Sequence, residues 1–154
     1  MNLTYRHLSE QDMQDICAWR YEGDYALYNL PDYHEMKQRQ MGFFNPARHK
    51  NFYGFWEENR LVGFVNILEE ETQVFLGIGV DPVYCGRHYG QTILAAAYAI
   101  SKELYPEKPL YLEVRSWNRR AIACYEKAGF TIEGDAFTQT TGIGSGTFYR
   151  MVRA

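Results

Sequence analysis

The residues of this sequence that could do chemistry begin with a glycine-bearing turn. Gly86, Arg87 and Gly90 lie between a predicted strand and a predicted helix that starts near Tyr89. A turn of this kind offers unpaired backbone N–H groups and the positive end of the helix dipole, and Arg87 adds a cation. These are the components of a phosphate-binding site, although similar turns also occur where nothing binds.

The strand before this turn also indicates a ligand. Its apolar residues alternate, as expected for a strand with one buried face; they are Val74, Leu76, Ile78 and Val80. Gly77 and Gly79 fall on the opposite face and leave a bare strip of backbone. Glycine inside a strand often marks a bulge or the close approach of a ligand. Asp81-Pro82 ends the strand, because proline has no N–H to donate.

A second group of residues lies further along the chain. Asn118 stands at the N-cap position of a predicted helix, and Gly129 follows its last turn as a helix stop. Ala121 and Tyr125 are four residues apart and therefore share a face. Packing explains the apolar residues around them, but it explains less well an asparagine, a small residue and a tyrosine on one side of a short helix.

The elements that must position these residues can be predicted from periodicity. Helices are expected at residues 9–19, 32–40, 89–105 and 118–128. Strands are expected at residues 2–7, 51–57, 61–68, 74–80, 110–115, 131–138 and 147–152. This order predicts a mixed sheet with helices on both faces.

The amino-acid composition limits the classes of function that this protein could have. The chain has 154 residues, which predicts one domain over 1–154. Its net charge of −3 gives no electrostatic case for nucleic acid as a partner. The three cysteines are odd in number and lack metal or redox spacing, so we expect no metal site and a reduced, cytoplasmic location. Neither a signal peptide nor an apolar run of roughly 20 residues is visible, and no membrane association is expected.

The turn and the stretch WNRRAIACYEKAGF together resemble the GCN5-related N-acetyltransferase (GNAT) superfamily. The nearest pattern is the ribosomal-protein alanine N-acetyltransferase type. The resemblance implies an α/β (α+β) fold. It consists of a single mixed, mostly antiparallel sheet of about six to seven strands, flanked by about four helices, with central strands splayed around the cofactor. It also implies that acetyl-CoA is the acetyl donor and that an amine is the acceptor.

The resemblance assigns cofactor-binding positions. Backbone pairing with the pantetheine arm falls to Ile78, Gly79 and Val80. The pyrophosphate turn comprises Gly86, Arg87, His88, Tyr89, Gly90 and Gln91, and the pantetheine and sulfur side falls to Asn118 and Ala121. Cys85 and His88 depart from the family turn, Gln/Arg-x-x-Gly-x-Gly/Ala. A backbone cradle can tolerate this change provided that His88 does not need a positive φ.

The resemblance also assigns catalytic roles. Tyr125 matches the general acid that protonates the departing CoA thiolate, and a phenol with a pKa near 10 is suited to this step. Glu113 matches the general base of the alanine N-acetyltransferase type. Each residue has a structural alternative. Tyr125 could be a half-buried core tyrosine, and Glu113 could be an exposed strand glutamate paired with Arg115 or another neighbour.

The acceptor site is expected in the tyrosine-rich segment after the first helix. Its aromatic candidates are Trp19, Tyr25 and Tyr28, together with Tyr21 and Tyr33, and the carboxylates available to hold a cation are Glu22, Asp24 and Asp32. Aromatic faces suit an ammonium group, although ordinary packing explains the same residues. Two further possibilities remain open at this point. The altered turn could belong to a non-catalytic CoA-binding sensor, and the aromatic surface could form a homodimer.

Overall fold

The computed structural model describes residues 2–154, which form a mixed α/β arrangement built on one eight-stranded sheet. Its strands are β1 Thr4–His7, β2 Phe52–Glu57, β3 Arg60–Glu69, β4 Val74–Val80, β5 Leu110–Arg115, β6 Thr131–Ile132, β7 Phe137–Thr141 and β8 Gly144–Arg153. The strand order is β1-β2-β3-β4-β5-β8-β6, and β7 also pairs with β8. β4 and β5 run parallel, whereas the pairs β1–β2, β2–β3, β5–β8, β6–β8 and β7–β8 are antiparallel.

Four α-helices lie within the described residues: α1 Glu10–Cys17, α2 Tyr33–Arg39, α3 Tyr89–Leu104 and α4 Arg119–Lys127. Short 3-10 helices cover Gly23–Tyr28, Gly42–Phe44, His49–Asn51 and Pro82–Tyr84. The predicted mixed, mostly antiparallel sheet with about four helices is therefore confirmed. No helix between residues 2 and 154 combines the length and apolarity needed to cross a membrane.

The predicted number of strands is too low, because the predicted strand at 131–138 is two strands. β6 ends at Ile132 and β7 begins at Phe137. Between them Gly134 has a φ of +78°, which lies in the left-handed region and cannot continue an extended strand. Both short strands pair with β8.

The chain forms two compact units. The first comprises residues 2–66 and 78–93 of the described chain. Its core is a cluster of buried apolar residues from α1, α2, β2, the 3-10 helix Gly42–Phe44 and the residue after β1; they are Leu8, Met13, Ile16, Cys17, Met36, Phe43, Phe52 and Trp56. The start of α1 is fixed by a capping box, as its sequence predicts. The Asp12 N–H donates to Ser9 Oγ at 3.1 Å, and the Ser9 N–H donates to Asp12 Oδ2 at 2.8 Å.

The second unit comprises residues 67–77 and 94–154. β5 pairs with β8 along its whole length, from Leu110 opposite Arg153 to Arg115 opposite Phe148. The apolar side chains Leu110, Leu112 and Met151 are at most 2% exposed. This pairing gives α4 a rigid strand to follow from, because the β5–α4 connection is only residues 116–118.

Candidate functional site

In the first unit, the end of β4 carries the residues predicted to pair with a pantetheine arm. Ile78, Gly79 and Val80 are half-buried. A Cβ at Gly79 would overlap the ring of Phe64. Glycine at 79 therefore has a packing reason that the sequence did not reveal, and the assignment of residues 78–80 to the cofactor stays a prediction.

Side chains from two other segments of the chain contact the Val80 carbonyl oxygen. The Tyr21 hydroxyl donates to Val80 O at 2.6 Å, and the Cys85 thiol lies 3.7 Å from the same oxygen. Tyr21 is half-buried, and this burial is the main cause of its raised phenol pKa, with Cys85 and Asp81 adding to it. Tyr21 is one of the aromatic acceptor candidates that the sequence offers, but its contact with Val80 could not be predicted, since no local pattern links two residues 59 positions apart.

The turn between β4 and α3 has an alternating backbone. Asp81 caps the short 3-10 helix by accepting the Val83 N–H at 3.0 Å. Gly86 and His88 then take positive φ angles of +78° and +67°, whereas Arg87 between them does not. The condition placed on His88 is therefore not met, because this residue adopts the left-handed conformation that the family's glycine would favour. Histidine is among the few side chains that are enriched in that region, so the turn keeps the left-handed conformation at residue 88 although the glycine is absent.

The residues of this turn differ in exposure. Gly86, Arg87 and His88 are exposed, whereas Tyr89 is buried and Gly90 and Gln91 are half-buried. The Tyr89 hydroxyl donates to Glu57 Oε1 at 2.8 Å, and this hydrogen bond is the main reason that its pKa is raised. Since its side chain is committed to β2, a binding role for Tyr89 falls to its backbone.

The tyrosine-rich segment after α1 is held by its own polar groups. Asn29 Oδ1 accepts the Tyr21 N–H at 2.6 Å, and Asn29 Nδ2 donates to Tyr21 O at 3.3 Å. Between these residues the 3-10 helix Gly23–Tyr28 carries the predicted acceptor residues Tyr25, half-buried, and Tyr28, which is 37% exposed. The third, Trp19, packs near Phe64 with ring centroids 6.1 Å apart. Trp19 is therefore part of the margin of the core.

In the second unit, α4 carries the predicted general acid. Asn118 is 7% exposed, and its Oδ1 accepts the Ala121 N–H at 3.1 Å, which confirms the predicted N-cap. Ala121 and Tyr125 are half-buried, and the Tyr125 ring lies 6.3 Å from that of Phe130 in an edge-to-face arrangement. The cofactor contacts of Asn118 and Ala121 and the acid role of Tyr125 stay predictions.

The predicted base, Glu113, is exposed on β5. The Gln139 side chain from β7 donates to its Oε1 at 3.5 Å, which is a long contact, so the structure gives Glu113 a neighbour other than Arg115. A carboxylate is one of the side-chain groups that can act as a general base.

Its neighbour on β5, Tyr111, belongs to a tighter network. Burial and a hydrogen bond to Glu70 raise the Tyr111 pKa to about 12, and Glu113 contributes a smaller repulsion. The Tyr111 hydroxyl lies 2.9 and 3.0 Å from the two Glu70 oxygens, and the Arg150 guanidinium stacks 4.1 Å from its ring centroid. Tyr111 is therefore fixed as a donor, whereas Glu113 keeps its carboxylate at the surface.

The structure thus groups the predicted residues by unit. The first unit holds the end of β4, the alternating turn and the tyrosine-rich segment. The second unit holds Glu113 on β5 and the Asn118–Ala121–Tyr125 group on α4. Among residues 2–154, no group of three or more His, Cys, Asp or Glu side chains is arranged to hold a metal ion.

Comparison with known proteins gives consistent results. A family model described as acetyltransferase (GNAT) family matches residues 12–130. The uncharacterized N-acetyltransferase YfmK of Bacillus subtilis (strain 168) is 30% identical over 96 residues. That alignment covers 58% of this chain and 60% of the relative, so the chain spans less than two thirds of the curated protein that it matches.

Solved structures share the fold. An acetyltransferase (GNAT family) from Bacillus anthracis superposes with a TM-score of 0.80 at 15% identity, covering 99% of this chain and 95% of the other. A chimera of the spermidine N-acetyltransferase SpeG from Vibrio cholerae and hSSAT gives a TM-score of 0.79 at 22% identity, covering 97% and 93%. At these identities the likeness establishes the fold alone.

Proposed function

Because the chain belongs to the acetyltransferase (GNAT) family, we propose that it transfers an acetyl group from acetyl-CoA to a primary amine. The observation that carries this proposal is the backbone of the turn before α3. Positive φ at Gly86 and His88 alternates with the ordinary φ of Arg87 and the helical Tyr89. Alternation of this kind turns successive N–H groups toward one concave side, which is a known anion-binding arrangement.

The turn would hold the pyrophosphate of the cofactor. Its amides lie at the N-terminus of α3, a helix of 16 residues, so the helix dipole adds to their attraction for an anion. The exposed Arg87 guanidinium supplies a positive charge in the same turn. The main chain of Ile78, Gly79 and Val80 would pair with the pantetheine arm in the manner of an added strand, except for the Val80 carbonyl, which accepts the Tyr21 hydroxyl.

The chemistry requires two proton transfers. Acetyl-CoA supplies an activated thioester, to which the amine nitrogen forms a C–N bond as the C–S bond breaks. Glu113 would accept the proton that the ammonium group loses, directly or through water, and Tyr125 would donate a proton to the departing thiolate sulfur. When the amine adds to the thioester carbonyl, the carbonyl oxygen becomes an oxyanion, and a backbone N–H near Val80 would stabilise it. Direct transfer needs no acyl-enzyme, so none of the three cysteines is assigned a covalent role.

The acceptor would be a cationic amine. Glu22 and Asp24 are exposed on the tyrosine-rich segment, and carboxylates beside aromatic rings favour an ammonium group. The SpeG chimera with the same fold is a spermidine N-acetyltransferase, which supports a small amine as one class of acceptor. A protein N-terminus, as in the alanine N-acetyltransferase pattern, is the other.

The test has two steps. Thermal denaturation with and without coenzyme A establishes whether the cofactor binds, and a rise in the melting temperature is expected because a ligand stabilises the state that it binds. An acceptor screen then follows free-thiol release from acetyl-CoA, with polyamines in one arm and peptides with free N-termini in the other. Release that depends on an added amine supports the proposal. If the melting temperature does not change and no thiol is released, the proposal is wrong.

A second candidate is a CoA-binding sensor without turnover. The observation that favours it is the non-glycine residue His88 in the left-handed conformation, since this substitution strains the turn. The same screen separates the two, because a sensor would bind coenzyme A and release no thiol with any acceptor.

A further inference from the structure

We infer that Tyr21 is a positioning residue, whose hydroxyl fixes the acceptor segment to the end of β4 through the Val80 carbonyl. The acceptor segment is defined here as residues 21–29. The inference rests on the proposed function, since it describes how the amine side of that site is held in place. It assigns to Tyr21 a role that neither the sequence motifs nor the family comparison indicates.

The hydrogen bond itself is short and protected. The Tyr21 hydroxyl donates to Val80 O at 2.6 Å, at the short end of the range for O–H···O bonds. The phenol is half-buried, and this burial raises its pKa, which favours the protonated form that donates the hydrogen bond. The hydrogen bond therefore attaches Tyr21 to the end of β4; this attachment is called the tether below.

The other end of the segment is tied back to the same residue. Asn29 uses its amide as a clamp, accepting the Tyr21 N–H at 2.6 Å and donating to Tyr21 O at 3.3 Å. The Tyr28 ring also meets the Tyr21 ring edge-on, with centroids 6.5 Å apart. The last residues of the segment are thus tied to its first residue, Tyr21, so the position of Tyr21 sets the position of the whole segment.

The strand end is a suitable anchor. β4 is a sheet strand, and the N–H of the next residue, Asp81, donates to Val62 O of β3 at 2.9 Å, so the peptide group that carries the Val80 carbonyl is fixed to the neighbouring strand. A carbonyl oxygen has two lone pairs, and here Tyr21 and the Cys85 thiol approach the same oxygen. The Val80 carbonyl thereby links the acceptor segment to the start of the phosphate turn.

The consequence concerns the segment's charges. Glu22 and Asp24 follow Tyr21 by one and three positions and are exposed. Without the tether, the segment keeps its Asn29 clamp but loses its attachment to the sheet, so these carboxylates move relative to Val80. The affinity for a cationic acceptor should then fall, whereas cofactor binding and the proton transfers should not change.

The test is Tyr21→Phe, which removes one hydroxyl and keeps the ring. We expect the acceptor KM to rise about tenfold, with kcat and the Kd of coenzyme A within twofold of the wild type. Tyr98→Phe is the matched control, because the Tyr98 hydroxyl also donates to a backbone carbonyl at 2.6 Å, that of Ala154, outside the predicted site. This control should leave all three quantities unchanged.

Asn29→Ala gives a second route to the same outcome. Loss of the clamp should raise the acceptor KM by a similar factor, and the double variant should be less than additive, because both changes release one segment. If Tyr21→Phe does not fold, Asn29→Ala decides the question. An acceptor KM within twofold of the wild type, in a protein that binds coenzyme A and turns over, overturns the inference. Absence of coenzyme A binding in the wild type instead overturns the proposed function.

Discussion

The two strand–turn–helix segments β4–α3 and β5–α4 carry most of the predicted site residues, yet their helices begin in different ways. α4 is capped by a side chain, since Asn118 Oδ1 accepts the Ala121 N–H at 3.1 Å. α3 is entered through a backbone with two left-handed residues, Gly86 and His88. At one helix the chain's own side chain satisfies an N–H group, and at the other the main chain shapes a concave turn.

This difference is the basis for expecting a mainly structural role at the start of α4 and an anion-binding role at the start of α3. A side-chain cap occupies the amide that it satisfies, so it favours stability at that helix end. An alternating backbone turns its amides toward a common point and costs conformational energy, which a bound anion can offset. We therefore expect variants in β5–α4 to change turnover or stability, and variants in β4–α3 to change cofactor binding.

The largest expected effect is that of Tyr125→Phe on α4. Removal of a general acid lowers kcat by about 10²–10⁴-fold, and the Kd of coenzyme A should stay within twofold. Steady-state thiol release gives kcat, and calorimetric titration gives the Kd of coenzyme A. A large loss of cofactor affinity with unchanged kcat would show that Tyr125 serves cofactor binding and that the two segments do not differ in the expected way.

A smaller, pH-dependent effect is expected for Glu113→Gln on β5. A missing base should lower kcat/KM by about 10²-fold at neutral pH, where the acceptor is an ammonium ion. The defect should shrink as the pH rises through the pKa of the acceptor amine, near 10 for a lysine-like group, because the amine is then already deprotonated. A pH–rate profile that runs parallel to that of the wild type would exclude Glu113 as the base.

The turn before α3 can be tested with two substitutions at His88. A β-branched residue is strongly disfavoured at the φ of +67°, so His88→Val should weaken coenzyme A binding by about tenfold or more. His88→Gly keeps the left-handed conformation without that cost and should bind at least as well as the wild type. If His88→Val binds as tightly as His88→Gly, the shape of this turn does not govern the cofactor.

The smallest effect is expected at the cap of α4. Asn118→Ala should destabilise the protein by about 1 kcal/mol and lower the melting temperature by about 2–4 °C. Asn118→Asp keeps the accepting oxygen and serves as the control. A loss of coenzyme A affinity in Asn118→Ala without a change in melting temperature would show that Asn118 contacts the cofactor rather than only capping the helix.

The local parts of the structure could be predicted from the sequence. The capping box at Ser9 and Asp12, the cap at Asn118 and the bounds of β4 and β5 depend on neighbouring residues, so their signals lie in a short window. The break between β6 and β7 could not be predicted from the sequence, because Gly134 stands alone and an isolated glycine does not by itself indicate a positive φ.

The candidate site was predictable only in part. Gly86, Arg87, Asn118 and Tyr125 belong to recognisable patterns, whereas the sequence marks Tyr21 only as one tyrosine of a tyrosine-rich segment and gives no signal for its contact. Its partner, the Val80 carbonyl, is 59 residues away and is a main-chain group that every residue possesses. Packing also explains Gly79, since the Phe64 ring occupies the place of its missing side chain.

The sequence by itself determined most of the strands and α-helices, the helix caps and the family of this protein, because spacing and capping chemistry are properties of neighbouring residues. Only the tertiary structure decided that His88 takes a left-handed φ, that Tyr21 meets Val80, and that Glu113 is exposed while Tyr111 is committed to Glu70. Each of these depends on contacts between distant segments or on a backbone angle that no single residue type requires.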